Sequence, residues 1–214
     1  MRVYKFLSCQ YGLRVIRERR LKISEVSSLN DPYELLPFDL SDPTFRQAVI
    51  ASRIELGRNN GILCFSQYWH NPVLWAHYAE SHKGLCLGFD VPDGQRSVSY
   101  EEHPIKLTPR QLADPDLRIA EAMVFTKYAH WQYEDEVRIW ATLNEKSGRY
   151  FFKDFDDGLR LVVVICGAAS HVSERKILQA LGAKRNDVRI LKARLAFDAF
   201  RVVEDEGGFG SGPA

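Results

Sequence analysis

The densest run of chemistry-bearing side chains in the sequence is Trp131-Gln-Tyr133-Glu134-Asp-Glu136-Val-Arg138-Ile-Trp140. On a strand, residues two apart share a face, so this spacing predicts Glu134, Glu136, Arg138 and Trp140 along one side. Asp135, Val137, Ile139 and Ala141 then line the other. Crowded carboxylates raise one another's proton affinity and a guanidinium lowers it, which is how a site sets one carboxylate as acid, base or stabiliser of a developing cation. The competing reading is a strand start with a solvated Glu/Arg face; two flanking tryptophans weigh against full solvation.

A second candidate is Asn30-Asp31-Pro32-Tyr33-Glu34. Asn and Asp hold turns through bonds to backbone N–H groups, and Pro32 predicts entry into a short helix with Glu34 in its first turn, near the positive end of the dipole. A cap alone explains that pattern; the functional alternative is a loop presenting Asp31 and Glu34 beside a cleft. The third candidate is the stretch from Cys64-Phe-Ser66 to Trp75-Ala-His77-Tyr78 and on to His82. Ser66 ends a predicted buried strand, where a hydroxyl can orient a ligand, and no GxSxG surrounds it, which argues against a hydrolase nucleophile. His70, His77 and His82 are not spaced one helical turn apart as a zinc helix requires, so no metal is expected. His77 neighbours Trp75 and Tyr78, aromatics that suit either core and rim packing or stacking on a ring.

The elements that must position these groups follow from periodicity and punctuation. Residues 2–6 read as a strand and 11–21 as an amphipathic helix, followed by a short strand at 21–24. Asp42-Pro43 caps a helix over 44–56 with Phe45, Val49 and Ile54 as its apolar stripe, ended by Gly57 to Gly61. A buried strand follows at 62–65. Asn71-Pro72 then caps a helix over 73–82, closed by Lys83-Gly84, before a strand at 85–89. Beyond a turn at 91–94, residues 98–100 are extended, and 109–128 carries helical segments broken near Asp114-Pro115. Residues 137–140, 149–152, 159–165, 188–191 and 196–202 read as strands and 173–181 as a helix capped by Gly182. Because helices interrupt the strands irregularly, the expected fold is a single α+β domain over 1–206, with a mixed, mostly antiparallel sheet and a flexible tail at 207–214.

Composition sets the outer limits. With 214 residues, 45% hydrophobic and 27% charged, the chain can bury a sizeable core and is not a disordered or coiled-coil sequence. A net charge of +1 provides no whole-chain field for nucleic acid or anionic lipid, so any such partner would need a local patch. Cys9, Cys64, Cys86 and Cys166 form no CxxC pair, and three of them lie in apolar runs. Reduced thiols and a cytoplasmic location are therefore expected, with no secretion signal and no membrane span. The oligomeric state is not legible.

Taken together, Val3-Tyr-Lys-Phe6, Asn30-Asp-Pro-Tyr-Glu34, Cys64-Phe-Ser66, Trp75-Ala-His-Tyr-Ala79 with His82, Gly84, Cys86 and Phe89, and Trp131 to Arg138 resemble the bacterial domain-of-unknown-function 2971 family. A more distant similarity is to the ADP-ribosyltransferase fold, whose enzymes place a basic residue, a Ser or Tyr, and a Glu-x-Glu on three successive strands. Lys5, Ser66 and Glu134-Asp-Glu136 occur in that order, with Lys5 departing from the usual Arg or His. The resemblance implies NAD as substrate and a protein or nucleic acid as acceptor. Glu136 would stabilise the oxocarbenium-like ribosyl centre and Glu134 would activate the acceptor. Ser66 would hold the nicotinamide ribose, Lys5 would meet a phosphate or ribose oxygen, and Trp75 or Tyr78 would stack on a ring. Two alternatives stand beside it. One is a magnesium-dependent nuclease using Asp31, Glu34, Glu134 and Glu136 with Arg138. The other is a non-catalytic module that binds a small ligand or a partner.

Overall fold

The computed structural model describes residues 1–108, 111, 117–144, 146–184 and 186–209. The expected helix break at Asp114-Pro115 and the end of the tail lie outside them. The class is α+β, and the chain divides into two compact units: residues 1–21, 65–94 and 154–214 form the first, and 22–64 with 95–153 the second.

In the first unit, the strand Arg2–Leu7 pairs antiparallel with Leu85–Asp90, Val3 opposite Phe89. That strand pairs antiparallel with Arg160–Cys166, with a register shift between Leu161 and Val163. Arg160–Cys166 runs parallel to Arg189–Leu195, which pairs antiparallel with Val202–Glu204. Of these, Leu85–Asp90 and Arg160–Cys166 are near-continuous apolar runs, buried on both faces. The helix Cys9–Glu18, capped by the Ser8 side chain accepting from Tyr11 N, packs on Glu174–Leu181 and on the strand Leu85–Asp90. Residues 196–201 form the connection before Val202–Glu204 rather than the start of a strand; Ala196 N donates back to Arg201 O and closes the turn.

The helix expected over 73–82 stops early, at Tyr78. Glu80, Ser81 and His82 instead take φ values of 49°, 52° and 68°, three successive non-glycine residues in the left-handed region. Such a turn is strained and persists only when its surroundings over-determine it. Here His82 N donates to Trp75 O, Ala169 N to His82 O, and Cys9 N to the Glu80 carboxylate. Gly84 follows immediately, and a Cβ there would collide with the Leu7 carbonyl oxygen and the Ala79 backbone. Because the opposing atoms are backbone, Gly84→Ala should cost about 2 kcal/mol or more in urea unfolding. An unchanged midpoint would show that the turn can shift to admit a methyl group.

In the second unit, the helix Pro43–Asn59 starts at the Asp42 cap, whose carboxylate accepts from Phe45 N. It runs through Gly57, where the sequence pattern ends it, and on to Asn59; Gly57 stands against the Val26 side chain, where a larger residue would be crowded. Val49 is buried, but Ile54 is exposed, so the apolar stripe is narrower than Phe45, Val49 and Ile54 imply. The core gathers Val26, Leu35, Phe38, Val49, Ile62 and Met123, with Trp140 packed against it. Ser24–Glu25 pairs with the preceding half of Asn60–Ser66, Ser24 opposite Ile62. Glu136–Thr142 pairs antiparallel with Arg96–Ser97, and Ser99–Glu101 runs parallel to Thr126–Tyr128, Tyr100 opposite Lys127. The helix Leu117–Phe125 leads directly into that last strand.

Candidate functional site

The strand carrying Arg138 begins at Glu136, not at Glu134 as alternation predicts. Glu134 closes a 3-10 turn, Ala129–Glu134, and Asp135 takes the left-handed conformation at φ 42°. Glu134 and Glu136 therefore do not share a strand face through a period of two. They meet through a third residue: Lys127 Nζ donates to Glu134 Oε2 at 2.6 Å and to Glu136 Oε2 at 3.1 Å.

Arg138 holds the other side. Its Nε and Nη2 donate to the two Glu136 oxygens at 2.8 and 3.1 Å, and Nη2 also lies 2.6 Å from Glu34 Oε1. Nη1 donates to Val124 O. Arg138 is 1% exposed and Glu136 3%, so five charged groups, Glu34, Lys127, Glu134, Glu136 and Arg138, form one buried network. Burying charge is tolerable only when it is paired and hydrogen-bonded in this way. Tyr100 OH completes the frame by accepting from Glu136 N at 2.8 Å, which fixes the carboxylate at the strand start.

The network separates its carboxylates electrostatically. Burial would raise Glu136, but Arg138, which pairs and hydrogen-bonds with it, and Lys127 reverse that and hold it down at about 2. Glu34 goes the other way: burial raises it above the ordinary glutamate range, Arg138 restrains the rise and Glu136 adds to it. For Lys127, burial opposes the charge, while Glu136 and Glu134 more than compensate and raise its affinity for the proton. Burial also pushes the Tyr100 hydroxyl up to about 12. Two carboxylates on one guanidinium with opposite shifts are the pattern by which acid and base roles separate.

Beside this network lies a cavity of about 370 Å³, lined by Tyr33, Pro37, Glu101, Glu102, Lys127 and Tyr128 among others. Tyr33 and Tyr128 are exposed, at 69% and 45%. Lys127 belongs both to the cavity wall and to the charge network, with its Nζ 4.8 Å from the Trp131 ring centroid. Residues 32–35 form a turn rather than the expected short helix, because Leu35 sits at φ 61°. That turn points Glu34 inward and leaves Tyr33 outside. Asp31 is buried too: one carboxylate oxygen accepts from Tyr33 N at 2.9 Å, and the other has no hydrogen-bond partner. Asn30, next to it, is exposed.

The remaining expected site residues belong to the first unit. Lys5 is half-buried on the strand Arg2–Leu7, opposite Leu87. Ser66 is buried, its hydroxyl donating to Tyr68 O and accepting from Tyr68 N, so it shapes a turn. Trp75, expected to stack on a ligand ring, is 0% exposed; its Nε1 donates to Trp69 O at 2.6 Å and its ring meets Phe6 edge-on. Such an indole is a core residue and offers no face. Tyr78 is half-buried and His77 exposed, the two rings edge-on to each other.

Sequence reasoning missed Lys127 and its part in the network. A lysine two residues into a short strand carries no signal of its own; its opposition to Tyr100 in a parallel pair reveals it only after folding. Among the described residues, no group of three or more His, Cys, Asp or Glu side chains is spaced to hold a metal ion. Glu34, Glu134 and Glu136 face Lys127 and Arg138 instead. No helix among the described residues is long and apolar enough to cross a membrane. No protein-family model matches the chain, and neither a curated protein nor a solved structure matches it.

Proposed function

We propose that the second unit is a small-molecule binding unit whose site is the cavity beside Lys127. The observation that carries this reading is the meeting of an aromatic-lined cavity with a pre-organised charge network through one shared residue, Lys127. Ligand sites combine apolar and aromatic walls with a few fixed polar groups, and groups held by buried partners keep their geometry without a ligand. Lys127 Nζ donates to Glu134 and Glu136 and stands over the Trp131 ring, so its position and charge at the cavity wall are fixed before a ligand arrives. Ligand-observed NMR against a mixture of planar ring compounds tests this. Binding that disappears in Tyr33→Ala and Tyr128→Ala supports the cavity; binding indifferent to both variants, or none at all, overturns it.

A second reading is glycosyl transfer from NAD, as the similarity to the ADP-ribosyltransferase fold implies. It is favoured by one observation: Glu134 and Glu136 meet on Lys127 Nζ at 2.6 and 3.1 Å, and a fixed pair of carboxylates is what an oxocarbenium-like centre requires. Glu136 is closed in by Arg138 and Lys127, so Glu134, the more accessible of the two, would meet the substrate. Incubation with labelled NAD and a lysate, wild type against Glu134→Gln, decides this. Nicotinamide release or label transfer lost in the variant supports it; turnover unaffected by the variant, or absent from the wild type, removes it.

A further inference from the structure

Resting on the reading of this cavity as a small-molecule site, we infer that its ligand is a planar organic cation, an aromatic amidine or ring-borne ammonium, and not a phosphate or carboxylate compound. The cavity wall carries Glu101 and Glu102, both exposed, against one ammonium, Lys127, and one imidazole, the exposed His103. That ammonium is already within hydrogen-bond distance of Glu134 and Glu136. Four carboxylates therefore stand against Lys127 and Arg138, before Glu34, also on Arg138, is counted. An anion entering here would meet a net negative field and find its one cation occupied; a cation meets the opposite.

The aromatic groups point the same way. Tyr33 and Tyr128 present exposed rings at the cavity, and a ring face attracts a cation through its quadrupole. Tyr128 is itself stacked on His130, centroids 4.6 Å apart and planes 11° from parallel, which holds the ring in place before a ligand arrives. The Tyr128–His130 pair is itself a parallel stack of flat rings, and a flat ligand matches a held ring face better than a tetrahedral one does. Thr126 lines the same wall, and its hydroxyl can accept a hydrogen bond from an amidinium N–H.

The experiment uses three probes of the same shape: benzamidine as the cation, benzamide as the neutral form, and benzoate as the anion, titrated into the whole protein by calorimetry and ligand-observed NMR. Benzamidine should bind, benzamide more weakly and benzoate not at all. The double variant Glu101→Gln/Glu102→Gln should weaken benzamidine about tenfold, since each exposed pair contributes modestly. These glutamates are exposed, so folding should be unaffected, and the thermal midpoint checks that. If benzamide or benzoate binds as tightly as benzamidine, in a manner lost in Tyr128→Ala, the charge preference is wrong while the cavity stands. If none of the three binds, both the charge preference and the small-molecule reading of the cavity are overturned.

Discussion

Arg138→Met is expected to destabilise the protein by about 3–5 kcal/mol, read as a fall in the urea unfolding midpoint with unchanged slope. The side chain it removes bridges two buried carboxylates, Glu34 and Glu136, and also satisfies the Val124 carbonyl. Methionine fills the volume, removes the Arg138 partner of Glu34 and leaves Glu136 with Lys127 alone, which is the costly way to break a buried pair. Adding Glu34→Gln to Arg138→Met should recover part of the loss, because one unpaired charge has gone. Arg138→Lys should fall between the two, since an ammonium cannot make the forked contact to Glu136 and reach Glu34 from the same position. A change below about 1 kcal/mol for Arg138→Met would mean that the network contributes little to stability.

Stability should depend on pH in opposite senses through the two carboxylates. Glu136 is held at about 2 against an ordinary value of 4.5, so its contribution is complete above 4.5 and is lost as pH falls toward about 2. That shift corresponds to about 3 kcal/mol. Glu34 is raised above its ordinary value, so the folded state binds its proton more tightly than the unfolded chain does. Its contribution is present at low pH and disappears as pH climbs through the folded-state value. Urea unfolding from about pH 2.5 to about pH 8 should therefore show an acid limb that Glu136→Gln abolishes, on a lower plateau because Arg138 and Lys127 then lack their partner. It should also show a decline on the alkaline side of the Glu34 titration that Glu34→Gln flattens. An acid limb of the same steepness in Glu136→Gln would assign it to other carboxylates, among them Asp90, whose partner Arg2 also lowers it.

Local signals in the chain carried the elements well and the site only in part. Asp42-Pro43 and Asn71-Pro72 mark real helix starts because a side-chain oxygen cap followed by a proline is a complete local device. The apolar runs around Cys64, Cys86 and Val163 become strands because such runs must be buried on both faces. The ends were harder. The helix after Pro72 stops at Tyr78, because hydrogen bonds from residues 9 and 169 hold the left-handed turn behind it, and no window of local sequence contains them. The Glu134-Asp-Glu136 spacing implies a shared strand face that the fold does not make: Asp135 breaks the alternation, and the two acids meet on Lys127 instead. Asp31 and Glu34 were legible as a turn pair, yet the Glu34 partner is Arg138, about a hundred positions on, and only the tertiary fold pairs them.

Each unit is stitched from separated stretches of chain, and this dictates when either can exist during synthesis. The sheet of the first unit needs residues 2–7, then 85–90, then 160–166, so its middle strand has one neighbour and an open edge until the last of these has been made. At translation rates of about 5–20 residues per second, the interval between the second and third strands lasts several seconds. During that time Leu85–Asp90, an apolar strand with a bare edge, is a template for pairing with another nascent chain. The second unit closes sooner, since its own pieces end at residue 153. Newly made chains should thus pass through a state in which the charge network around Arg138 can already assemble while the first sheet is still waiting, and crowding by sister chains on one message is the hazard this order of assembly creates.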